Sequence, residues 1–148
     1  MGRKFLPPLL VMAVFIADRV SKSLVIKHIY FSSVKILPFF SLTYVENTGV
    51  AFGFLKGINI FFIFSNTFFL LLLLLFKKKF SSSLETVGLH LVIAGALGNI
   101  YDRLVYGYVV DFFDLRFFPA VFNVADFAIT SGACLIGYEI FLAKKGES

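Results

Sequence analysis

The chain has one cysteine, Cys134, and no tryptophan. A lone cysteine forms no internal disulfide and completes no metal-binding pattern. In its apolar run Cys134 is expected to be a small buried hydrophobe. The two histidines, His28 and His90, are far apart and lack the spacing of zinc ligands. There is no Walker loop and no glycine-rich dinucleotide fingerprint, so no motif for nucleotide binding is present. No internal repeat and no low-complexity linker divide the sequence. Charge is also scarce. Charged residues make up 16% of the chain, against ~25% in an ordinary soluble domain.

What fills the chain instead is apolar. Hydrophobic residues reach 59%, with 21 Phe among them, and the mean hydropathy is +0.89. Soluble domains average ~45–50% apolar. This excess is too large for one water-soluble core in 148 residues, and the membrane class follows. Hydrophobic stretches leave no room for a second, soluble domain. The net charge is +5. Its basic residues sit at the ends of apolar stretches, which reads as topology signalling and attraction to anionic lipid head groups. Nucleic acid is not an expected partner.

Four apolar stretches are candidate spans: about 6–29, 58–76, 84–103 and 120–142. Roughly 20 apolar residues rising ~1.5 Å each cross a ~30 Å hydrocarbon core. The second stretch, Ile58 to Phe76, has no charge at all. Arg3 and Lys4 ahead of Leu6 to Ala17 resemble a secretory signal peptide. No A-x-A-like cleavage site follows cleanly, so the first stretch is expected to be retained as a helix. The clusters Arg3–Lys4, Lys77–Lys79 and Lys144–Lys145 fall on one side if there are four spans. That side is the cytoplasm, and both termini lie there.

The segment 30–56 then lies outside the cytoplasm. Its β-formers in Val34–Leu37 and Phe39–Val45, with Pro38, Gly49, Gly53 and Gly57, predict a small sheet or hairpin. Ser82 and Glu85 have the spacing of a capping box at the start of the third helix. The expected architecture is an all-α polytopic membrane protein, one domain over residues 1–148. Four transmembrane helices carry a small extracytoplasmic β-cradle between helices one and two.

Ionisable residues within spans are costly and are candidates for function. Asp18 and Lys22 lie i, i+4 on helix one and can pair. Gly95, Asn99 and Arg103 form one stripe on helix three, and Gly95 and Gly98 leave room for a close neighbour or a substrate chain. Asn123, Asp126 and Thr130 share a face of helix four. Each also has a simpler reading. Asp18–Lys22 can be only a local ion pair, Asp102 and Arg103 can stabilise a helix end, and Asn123 can cap helix four. Asp126 has no cation within one turn of its own helix. It must find a partner elsewhere or stay protonated.

Asp111 is a candidate partner, in the apolar setting of Val-Val-Asp-Phe-Phe-Asp. Two carboxyls close together in low dielectric share a proton rather than both ionising. The ionised member can draw a proton from water, and the neutral member can polarise a scissile carbonyl. Spacing alone does not bring Asp111 and Asp126 together. Ser21 and Lys22 fit a Ser–Lys dyad poorly, because neighbours on a helix point ~100° apart. A small transporter or channel subunit is the alternative, with these polar residues lining an ion path. A third reading is an assembly factor whose polar residues join helices to a partner.

Five blocks resemble the signature of bacterial lipoprotein signal peptidase, the type II signal peptidase. They are Asp18-Arg19-Val20-Ser21-Lys22, Val45-Glu46-Asn47-Thr48-Gly49-Val50-Ala51-Phe52-Gly53, Gly98-Asn99-Ile100-Tyr101-Asp102-Arg103-Leu104, Val109-Val110-Asp111-Phe112-Phe113-Asp114 and Phe122-Asn123-Val124-Ala125-Asp126. They occur in the family's order and span nearly the whole chain. The resemblance implies a bacterial cytoplasmic-membrane enzyme, cutting a prolipoprotein just before its diacylglyceryl-modified cysteine. It implies an aspartic peptidase with no metal or other cofactor, with Asp111 and Asp126 catalytic. Asp18, Lys22, Asn47, Gly95, Asn99, Arg103 and Asn123 match supporting positions that shape the site and contact substrate or the inhibitor globomycin. Membrane lipids are the other expected partners, and a monomer suffices.

Overall fold

The computed structural model of the protein describes residues 6–49, 58–77, 80 and 82–146. Seven elements follow in order: α1 (Leu6–Ile29), β1 (Ser33–Leu37), β2 (Phe40–Asn47), α2 (Ile58–Phe76), α3 (Ser83–Val105), β3 (Val109–Leu115) and α4 (Val124–Gly146). Arg3, Lys4, Gly53, Gly57, Lys78 and Lys79, together with the side chain of Lys144, lie outside the described residues.

α3 is the hub of the helices. It starts with the expected capping box: the Glu85 N–H donates to Ser82 Oγ and the Ser82 N–H to Glu85 Oε2, each at 3.0 Å. Its buried face includes Gly88, Val92, Gly95, Asn99 and Asp102. Small residues let α4 come close. A Cβ at Gly88 would lie 2.7 Å from the Gly132 carbonyl oxygen, and one at Gly95 would fall on that of Ala125. Helix association inside a bilayer relies on such close packing.

The outer faces are apolar. Phe61, Phe64, Phe68 and Leu75 on α2, Leu9 and Ile16 on α1, and Phe127 and Phe141 on α4 are all exposed. A soluble protein rarely leaves so much apolar surface to water. Among the described residues two helices, Ser83–Val105 and Val124–Ala143, are long and apolar enough to cross a membrane, and Ile60–Leu75 is a shorter apolar helix. Cys134, expected inside the core, is on an exposed position of α4.

The sheet departs from expectation by one strand. β1 and β2 form the antiparallel hairpin, but β3 adds to β2 from the link between α3 and α4, giving the order β1-β2-β3. Asp111 pairs opposite Val45, and Val109 opposite Asn47. Val25, Tyr44, Val110 and Phe112 make a small core beneath it. α4 also begins later than residue 120. Phe122 is still extended and bridges Phe113, with its carbonyl accepting the Phe113 N–H at 2.7 Å. The chain turns helical only after Asn123.

Candidate active site

Three elements meet where β3 runs past the start of α4. Asn123 is the N-cap of α4: its Oδ1 accepts the Asp126 N–H at 2.9 Å. The Asp126 Oδ2 accepts the Asn123 N–H in return, at 3.2 Å. This reciprocal pair is a capping box with Asp at the third helical position. It fixes the Asp126 carboxyl at the positive end of the helix, where negative charge is stabilised.

Asp111 arrives from β3 and is almost fully buried, with 1% exposure. Its two oxygens accept from two amides: Oδ1 from Asn123 Nδ2 at 2.6 Å and Oδ2 from Asn47 Nδ2 at 2.8 Å. Asn47 is held by its own turn, its Oδ1 accepting the Gly49 N–H at 2.8 Å. Gly49 has φ +80°, and a side chain there would strike the Phe62 ring of α2. Glycine meets both demands.

Asn99 of α3 completes a bridge between the two acids. Its Nδ2 donates to Asp126 Oδ1 at 2.7 Å, and its Oδ1 accepts from Asn123 Nδ2 at 3.3 Å. Asp111 and Asp126 are therefore linked through the side chains of Asn123 and Asn99. Lys22 Nζ also donates to Asn99 Oδ1, at 3.3 Å. Burial pushes the Asp111 carboxyl up to about 7; the Asp126 charge adds to the rise, while Asn47, Asn123 and Lys22 oppose it.

The cations stand behind the acids. Arg103 donates to the Asn99 carbonyl oxygen at 3.4 Å and sits 5.3 Å from the Phe62 ring centroid. Its charge interacts with Asp126, Asp111 and Asp102. Asp18 and Lys22 form the expected i, i+4 ion pair at 3.0 Å. Lys22 reaches the acids through Asn99, and Asp18 accepts the N–H of Ala125, which precedes Asp126. Arg19 and Asp102, which spacing had not singled out as a pair, join them: Lys22 also meets Asp102 at 2.7 Å, and Arg19 binds both Asp18 and Asp102. The signal was present in Asp18-Arg19 and Asp102, but only the helix packing brings these residues together. Asp114 lies apart, accepting from Thr43 on the sheet.

Beside Asp126 opens a cavity of about 270 Å³, lined by Leu115, Phe118, Phe122, Phe127 and Thr130. Thr130, placed on the Asp126 face by its spacing, is exposed there. Among the described residues no group of three or more His, Cys, Asp or Glu side chains is placed to hold a metal ion. The site therefore presents two carboxyls, two bridging amides and nearby cations beside an apolar recess. That set can move protons at a peptide bond.

Comparison with known proteins identifies the family and the fold. The family described as "Signal peptidase (SPase) II" matches residues 10–142. A lipoprotein signal peptidase of Caldicellulosiruptor bescii is 40% identical over 146 residues, 93% of this chain and 97% of that protein. One from Shewanella sp. (strain MR-4) is 44% identical, covering 93% of this chain and 86% of the relative. The solved structure of a bacterial membrane enzyme, obtained by the in meso method at 2.3 Å, superposes with a TM-score of 0.84 at 32% identity. It covers 97% of this chain and 92% of its own. None of these relatives bears the name of a transporter or channel. A fold shared with a membrane enzyme fits the apolar outer faces of α1, α2 and α4. With the family model covering most of its length, the chain belongs to the signal peptidase II family, the lipoprotein signal peptidases.

Proposed function

We propose that this protein is an intramembrane aspartic endopeptidase, with Asp111 and Asp126 as its catalytic pair. It removes the signal peptide of a prolipoprotein by cutting before the diacylglyceryl-modified cysteine. The observation that carries this reading is the amide bridge: two carboxyls from separate elements, joined through Asn123 and Asn99. At neutral pH one proton is shared by the pair. The ionised carboxylate takes a proton from water, the water attacks the scissile carbonyl, and the protonated partner donates to the carbonyl oxygen. The pair titrates as a unit, so the roles belong to the pair rather than to one residue.

The supporting residues have physical tasks. Asn47, Asn99 and Asn123 hold the carboxyl oxygens and can rotate to bond a peptide backbone that water does not reach. Lys22 and Arg103 favour one ionised carboxylate over none. Gly95 lets α4 lie close enough to α3 for Asp126 to reach Asn99. The recess lined by Phe118, Phe122 and Phe127 suits an apolar part of the substrate. The same surface would receive a globomycin-type inhibitor.

All four helices are proposed to span the bacterial cytoplasmic membrane, with both termini in the cytoplasm and the sheet on the opposite side. The basic residues of the termini and of the α2–α3 link support this orientation. A monomer suffices, since every residue named lies on one chain.

The test is cleavage of a diacylglyceryl-modified prolipoprotein by the purified protein in detergent. The parent should cut, chelator should leave its rate unchanged, and folded Asp111→Asn and Asp126→Asn should be inactive. Parental activity in either variant would remove the proposed pair.

A further inference from the structure

The charged residues Asp18, Arg19 and Lys22 of α1 and Asp102 of α3 form a closed ring of ion pairs. Two cations and two anions sum to zero. Asp18, Lys22 and Asp102 are each buried to within 1% of full burial. Buried ion pairs of this kind seldom stabilise a fold more than apolar packing would. The ring therefore calls for a task other than stability.

Each carboxylate has one further bond, and both of these go to backbone. Asp102 Oδ2 accepts the Val110 N–H at 3.1 Å. Asp18 Oδ1 accepts the Ala125 N–H at 3.0 Å. Val110 directly precedes Asp111, and Ala125 directly precedes Asp126. Val110 and Ala125 are both fully buried at 0% exposure, so no water competes for these two N–H groups. The two acids lie on different elements, β3 and α4. Between them, the Phe113–Phe122 bridge is the pairing that the backbone itself supplies.

We infer that Asp18 and Asp102 are positioning residues: one neutral ion ring on α1 and α3 clamps the backbone just before each active-site aspartate and thereby sets their separation. The inference rests on Asp111 and Asp126 being the reacting pair. Carboxylate suits the task because each oxygen accepts and none donates. Asp102 meets Arg19 with one oxygen and both Lys22 and the Val110 N–H with the other. An amide in its place turns an N–H₂ toward a cation or toward the backbone N–H.

The experiment compares Asp18→Asn and Asp102→Asn with the parent. It measures kcat, KM, the pH dependence of kcat and the thermal midpoint. A misplacement of ~1 Å at a reacting group costs on the order of 10²-fold, so kcat should fall by about that factor with little change in KM. Released from the clamp, the two carboxyls no longer keep a fixed separation and their coupling weakens. The two limbs of the pH profile should then draw together. A merely structural role would lower the thermal midpoint but leave kcat per folded enzyme and both limbs where they are. If the Asp variants do not fold, Arg19→Gln decides. Arg19 is the partly exposed member of the ring, with a side chain 18% exposed, and its loss should move the limbs in the same direction. Parental kcat and limbs in the folded ring variants overturn the inference. Should those variants behave as the parent while Asp111→Asn is dead, only the positioning role falls. Should Asp111→Asn itself cleave, the catalytic pair is what fails.

Discussion

Replacing Asp111 with asparagine should change how stability depends on pH, apart from abolishing cleavage. The Asp111 carboxyl is pushed up to about 7 by burial and by the neighbouring Asp126 charge. An unfolded aspartate titrates near ~3.9. Because the folded value is the higher one, the fold favours the protonated form. The stability this confers is fully present below about pH 4 and is lost as pH rises to about 7. A difference of about 3 units at ~1.4 kcal/mol each amounts to about 4 kcal/mol. Asparagine, which does not titrate, removes this contribution. It also offers one acceptor where Asn47 and Asn123 present two donors, at a cost of about 1–3 kcal/mol that does not vary with pH. The assay is unfolding of parent and variant in detergent micelles at about pH 4 and about pH 8. The variant should start less stable at the acidic end and gain about 4 kcal/mol on the parent across the range. Parallel stability curves, or a parent that gains on the variant as pH rises, would refute the buried, proton-sharing account of Asp111.

Two further substitutions probe the frame around the pair. Asn123→Ala removes an N-cap worth about 1 kcal/mol and the donor bridging Asp111 and Asn99; the cleavage rate should fall far more than the thermal midpoint, read on the same sample. Gly95→Ala places a methyl on the Ala125 carbonyl and 2.7 Å from Ile129 Cγ1. It should cost about 1–3 kcal/mol in thermal unfolding and slow cleavage, because Ala125 adjoins Asp126.

Much of the fold was legible because its signals are local. The charge-free run 58–76 became α2 with the same bounds, and Ser82 with Glu85 capped α3 as their spacing required. Periodicity also put Gly95, Asn99 and Arg103 on one buried face. The third strand was not legible. Val109–Leu115 carries two acids in a short apolar run, and its strand character comes from pairing with β2, more than sixty residues earlier in the sequence. The start of α4 was placed too early, since Ala120 to Phe122 is apolar enough to continue a helix but is drawn into pairing with Phe113. Within the site, the residue types were readable and their wiring was not. Asn123 is the helix cap its position suggested and also a bridge to Asp111, which its position did not show. The pairing of Arg19 with Asp102 was not readable because the two lie 83 positions apart.

The ion ring also has a consequence for how the protein is made. α1 is synthesised before α3, carrying Arg19 and Lys22 against a single nearby acid, Asp18. The anion that completes their neutralisation, Asp102, emerges on α3 only after α2 and the whole β1–β2 hairpin have been translated. An unpaired cation in a nonpolar interior is expensive. α1 therefore cannot complete its ion pairs until α3 has been made. The final, neutral setting of α1 thus depends on a residue translated 83 positions after Arg19.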